Sequence, residues 1–79
     1  MNALEIEATL KVHFPDAQIK LVDLTGGGDH WQLEIISSAF QGKSLVMQHQ
    51  LVYTALGDWM RGPSAPLHAL ALTTNPPIL

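Results

Sequence analysis

Two apolar segments lie on either side of a long interval: Trp31-Gln32-Leu33-Glu34-Ile35, and Leu67-His68-Ala69-Leu70-Ala71-Leu72-Thr73-Thr74. The first alternates apolar and polar residues as a half-buried strand does, and the second is a short apolar run of strand length. The interval is about thirty residues and carries a helical pattern, the length of a crossover that returns the chain parallel to itself. The segment before Trp31 is tied to it by Gly26-Gly27-Gly28-Asp29, a turn that favours an antiparallel hairpin. A parallel and an antiparallel neighbour on one strand imply a three-stranded mixed sheet. If the last strand lies beside the second, His30 and His68 come to the same rim, because each stands at the N-terminal end of its strand.

The remaining elements follow from local signals. Asn2 precedes Ala3-Leu4-Glu5 as an N-cap, with Glu at the capping-box position. Ala3, Ile6, Leu10 and Phe14 recur at helical spacing, and Pro15 ends that helix. Ala17 to Leu24 reads as a strand with Ile19, Leu21 and Asp23 on one face. Ser44 caps a second helix whose apolar face is expected to run Leu45, His49, Val52 and Leu56, flanked by Leu51 and Ala55. Gly57 breaks it, Asp58-Trp59-Met60-Arg61 forms a further helical turn, and residues 62–66 make a linker. The order is α-β-β-α-(α)-β, an α+β fold with helices on one face of a three-stranded mixed sheet. One domain is expected over residues 1–75, with a tail at 76–79.

Size and charge narrow the function classes. Seventy-nine residues without cysteine exclude disulfides and any zinc site built on the chain's own thiolates. A hydrophobic content of 47% supports an ordinary core. Nothing approaches the ~20 apolar residues that span a bilayer, and no secretory signal pattern is visible, so a cytoplasmic protein is expected. Lys11, Lys20, Lys43 and Arg61 are scattered among seven acidic residues, for a formal charge of −3. Nucleic-acid affinity rests largely on clustered Lys and Arg, so binding of about 10⁻⁴ M or weaker is expected.

No catalytic motif emerges. Gly42-Lys43-Ser44 lacks the glycine a phosphate loop needs five residues earlier, where Ser37 stands. The triple glycine leads into a strand and not a helix, so it presents no helix N-terminus to a phosphate. No Ser occupies a strand–turn–helix elbow. The chain reads as a non-enzyme. His13 belongs to a solvated helix end. His49, between Leu45 and Val52, reads as a partly buried neutral imidazole with one hydrogen-bonded nitrogen.

Phe40-Gln41-Gly42-Lys43-Ser44-Leu45, Gln48-His49-Gln50-Leu51-Val52 and the terminal His68-Ala69-Leu70 together resemble the BolA family. The resemblance covers nearly the whole chain and implies a fold similar to the KH type. It also implies partnership with a monothiol glutaredoxin, the two proteins sharing a [2Fe–2S] cluster with glutathione. His68 matches the histidine with which members open the terminal strand, and the resemblance makes it a cluster ligand. The second ligand in relatives lies within the hairpin loop, and His30 is the nearest residue here able to replace it. The function so implied is a non-enzymatic adaptor in iron–sulfur cluster trafficking or iron and redox sensing. The alternative is a nucleic-acid-binding transcriptional regulator of stress or morphology genes. Gln48 and Gln50, where members commonly carry basic residues, weigh against it. Association of two copies of the free protein is left open.

Overall fold

The computed structural model describes residues 2–60, 67 and 69–78. The expected helical position of Arg61, the linker at 62–66 and His68 lie outside the described residues. The elements are α1 (Ala3–His13), β1 (Gln18–Asp23), β2 (His30–Ile36), a 3₁₀ turn at Ser38–Phe40, α2 (Leu45–Leu56), a second 3₁₀ turn at Gly57–Met60 and β3 (Ala69–Asn75).

α1 begins where expected: the Asn2 side chain accepts from the Glu5 N–H at 2.9 Å, satisfying one of the helix's orphan donors. Ile6, Leu10 and Phe14 are buried along its inner stripe, and Phe14 meets Phe40 with ring centroids 5.3 Å apart. α2 starts with the Ser44 hydroxyl accepting from the Met47 N–H at 3.2 Å. It ends at Gly57, whose φ of 56° is a left-handed value that suits glycine.

The sheet has the order β1-β2-β3. β1 pairs antiparallel with β2, Ile19 opposite Ile35 and Asp23 opposite Trp31. β2 pairs parallel with β3, His30 opposite Ala69 and Ile36 opposite Asn75. Trp31, Leu33 and Ile35 point to one face and are buried in a core completed by α1, α2 and Leu67. The other face carries Lys20, Val22, Gln32 and Ala71, all exposed.

Two boundaries move. β3 begins at Ala69 rather than Leu67, because the Leu67 N–H donates to the Trp59 carbonyl at 3.0 Å and not to a neighbouring strand. Leu67 is nevertheless a core residue, 1% exposed. β3 extends to Asn75, whose carbonyl accepts from the Ser37 N–H at 3.1 Å.

The buried face of α2 is rotated from the one expected. Leu45 is 60% exposed and Gln48 is buried, with Val52, Ala55 and Leu56 continuing the inner stripe. A buried amide must find partners, and Gln48 has them on both ends. Its Nε2 donates to the Lys43 carbonyl at 2.9 Å and its Oε1 accepts from the Thr74 hydroxyl at 2.7 Å. Residue 48 therefore belongs to the interior, and of the two glutamines flanking His49 only Gln50 faces solvent.

Candidate functional site

The hairpin loop between β1 and β2 sets the position of His30. Its organiser is Asp23, the last residue of β1. Asp23 Oδ1 accepts from the Thr25 and Gly26 N–H groups at 3.3 and 2.9 Å, and Oδ2 accepts from the Gly28 N–H at 3.0 Å. One carboxylate thus gathers backbone donors along the loop, as an Asx turn does. Gly28, at φ 77°, supplies the backbone angle that turns its N–H inward. The triple glycine spends these donors on the protein's own carboxylate, which is the physical reason it is no phosphate cradle.

Two further bonds fasten the far side. The Thr25 hydroxyl donates to Asp29 Oδ1 at 3.1 Å, and the buried indole of Trp31 donates from Nε1 to the Gly28 carbonyl at 2.9 Å. His30 follows Asp29 at the start of β2. Its backbone carbonyl accepts from the Leu24 N–H at 2.9 Å, so its Cα is fixed by the hairpin ladder. Its imidazole lies half in solvent, with Nε2 3.7 Å from Asp29 Oδ2.

Across the parallel ladder His30 stands opposite Ala69, and the Ala69 N–H donates to the Asp29 carbonyl at 3.3 Å. The parallel register that the rim argument required is present. Ala69 is the residue that follows His68 in the chain; His68 itself lies outside the described residues. Among the described residues no three His, Cys, Asp or Glu side chains converge to hold a metal ion. Among the described residues, His30 is the imidazole at this rim.

The remaining histidines sit elsewhere. His13 is exposed at the end of α1, its Nδ1 3.1 Å from the Thr9 carbonyl. His49 packs its ring edge-on to Tyr53, centroids 6.4 Å apart. Its Nε2 is buried without a hydrogen-bond partner among the described residues. Sequence reasoning also missed Asp23, which it placed only as a strand residue; an Asp two residues before Thr25-Gly26-Gly27-Gly28 is the signal that could have found it.

No helix among the described residues is long and apolar enough to cross a membrane. The family model for BolA, BolA-like protein, matches residues 1–78. Protein RP812 of Rickettsia prowazekii is 40% identical over 74 residues, covering 94% of this chain and 92% of that protein. SufE-like protein 1 of Arabidopsis thaliana is 38% identical over 74 residues, and the chain spans 94% of itself but 19% of that longer protein. The solved BolA domain of SufE1 from Arabidopsis thaliana superposes with a TM-score of 0.82 at 32% identity, covering 98% of this chain and 95% of that one.

Proposed function

Because this chain belongs to the BolA-like family, we propose that it is a non-enzymatic adaptor that binds a [2Fe–2S] cluster jointly with a monothiol glutaredoxin and glutathione. The observation that carries the reading is the parallel register His30 to Ala69, which sets an accessible imidazole beside the first residue of β3. His68 precedes that residue in the chain, and the family resemblance assigns it as the main ligand, with His30 secondary.

The division of ligands is chemically coherent. A glutaredoxin cysteine and glutathione supply two thiolates, and this chain supplies one or two neutral imidazoles. Exchanging thiolate for imidazole raises a cluster's potential and adds a protonatable ligand, the properties expected of a sensor or a transfer intermediate. On this side of the complex the chain's task is positional. Asp23 holds the loop closed, the hairpin ladder fixes His30, and Asp29 biases the orientation of its ring.

The test is anaerobic reconstitution with a glutathione-loaded monothiol glutaredoxin, read by visible absorption and circular dichroism. A cluster spectrum that differs from that of the glutaredoxin alone, together with a stable hetero-complex, is the expected result. A spectrum identical to the glutaredoxin's own, with no complex on gel filtration, overturns the reading.

A further inference from the structure

Building on the cluster-sharing reading, we propose that Asp29 is the residue through which this rim selects its partner, its carboxylate taking a lysine or arginine side chain of the glutaredoxin. The hairpin loop is flanked by two carboxylates, and they are committed differently. Asp23 gives both oxygens to the Thr25, Gly26 and Gly28 amides. Asp29 has Oδ1 engaged by the Thr25 hydroxyl, while Oδ2 accepts no hydrogen bond among the described residues. The Asp29 side chain is 41% exposed, and its backbone is pinned where the carbonyl receives the Ala69 N–H. A carboxylate held in place with one oxygen open is preorganised for an ammonium or a guanidinium. Because Oδ2 stands 3.7 Å from His30 Nε2, a protein that approaches His30 also meets Asp29.

The described lysines all lie toward the other end of the sheet. Lys20 is opposite Glu34, four residues along β2 from His30, or about 13 Å at strand spacing. The Lys43 carbonyl is tied through Gln48 to Thr74, five residues along β3 from Ala69. The Lys11 ammonium donates to the Ala17 carbonyl, just ahead of β1, whose first residue is opposite Ile36 at the far end of β2. Asp16 is at that end too, bonded to Ser37 and Ser38. Glu5 and Glu7 are exposed in the first turns of α1, roughly 10 Å back along the helix from its last residue. The rim therefore carries carboxylates that no lysine among the described residues balances.

Screening makes this imbalance count. The Debye length is about 8 Å at physiological salt, so a protein docking at the rim feels the loop carboxylates and not the more distant lysines. The sign of the charge decides the class of occupant. A second copy of this chain brings the same carboxylates and is repelled, as are the phosphates of a nucleic acid. A protein with a basic side chain beside its cluster-binding cysteine is complementary. Charges at the edge of an interface act chiefly on encounter rate, on its salt dependence and on the rejection of wrong partners.

The experiment measures association of the full chain with a cluster-loaded, glutathione-bound monothiol glutaredoxin by stopped flow, between about 50 and 500 mM salt. The wild-type rate should fall as salt rises. Asp29→Asn, which keeps an acceptor for the Thr25 hydroxyl, should associate several-fold more slowly at low salt and converge on wild type at high salt. Asp29→Lys should lose about tenfold at low salt and recover as salt rises. Glu34→Gln removes the same charge away from the rim and should stay within about twofold of wild type. Amide spectra check that each variant is folded, and if Asp29→Lys is not, Asp29→Asn decides. A rate indifferent to the Asp29 substitutions, or losses that salt leaves unchanged, would overturn this inference and leave cluster sharing standing. Absence of any hetero-complex with the wild type would overturn cluster sharing itself, and this inference with it.

Discussion

The Thr74 hydroxyl donates a 2.7 Å hydrogen bond to Gln48 Oε1 in the interior, joining the end of β3 to the first turns of α2 across 26 positions of sequence. Gln48 Nε2 is held at the same time by the Lys43 carbonyl. The buried amide is thus a cross-brace between the sheet and the helix layer.

Removing one partner of this brace strands the other in a dry setting, which costs about 1–3 kcal/mol. Thr74→Val and Gln48→Ala should each lower stability by that order, measured by urea denaturation. The double variant should lose less than the sum of the two, since each single change already breaks the same bond.

Asp16 offers a pH signature. Hydrogen bonds from the Ser38 side chain and backbone, and then from the Ser37 side chain, hold its carboxyl at about 2 against an ordinary 3.8. A depressed folded-state value means the stabilising contribution is complete above the unfolded pKa and is lost as pH falls from about 4 toward 2. Wild type should lose stability through that window, and Asp16→Asn should be less stable at pH 7 with a flatter acid limb. Denaturant midpoints measured between pH 2 and pH 7 check both.

Asp23→Ala should release the Thr25, Gly26 and Gly28 amides together, at a loss of about 1–3 kcal/mol. Hydrogen exchange should accelerate at those amides well before the sheet opens. In the reconstituted complex the same variant should broaden or weaken the cluster spectrum, because the loop that fixes His30 has lost its organiser.

The histidines should separate by role. His68→Ala should change the cluster spectrum or abolish the hetero-complex with the fold intact, and His30→Ala should give a smaller loss. His49→Ala should act through stability alone. His49→Phe, which removes the unpartnered buried Nε2 but keeps an aromatic ring against Tyr53, should match or exceed wild type by up to about 1 kcal/mol in thermal unfolding. An unaltered cluster spectrum in His68→Ala would sink the ligand assignment.

The sheet was legible because its signals are local or metric. Alternation at Trp31, Leu33 and Ile35 marks a face, Gly26 to Asp29 marks a hairpin, and the length of the crossover forces a parallel return. The caps at Asn2 and Ser44 were legible because their chemistry is contained within three residues. The inner face of α2 was not, because a hydrophobic template ranks Leu45 above Gln48. What buries Gln48 is a hydroxyl on β3 and a carbonyl just before the helix, partners that periodicity does not register. Asp23 was overlooked for a related reason: alternation describes where a strand residue points, and its carboxylate acts along the chain on the loop that follows.

The constant offset in the β2–β3 ladder, with Ala69 opposite His30 and Asn75 opposite Ile36, has a kinetic consequence. The central strand of the sheet cannot complete its pairing until the final element is available, although α1 and the β1–β2 hairpin are already present. Loop closure over such a distance is paid before any contact rewards it, so the docking of β3 should be the slow event of refolding. On the ribosome, β2 would emerge with one side unpaired and wait for β3 with its apolar face incompletely covered. That interval is when a nascent chain of this type is most exposed to aggregation and to chaperones.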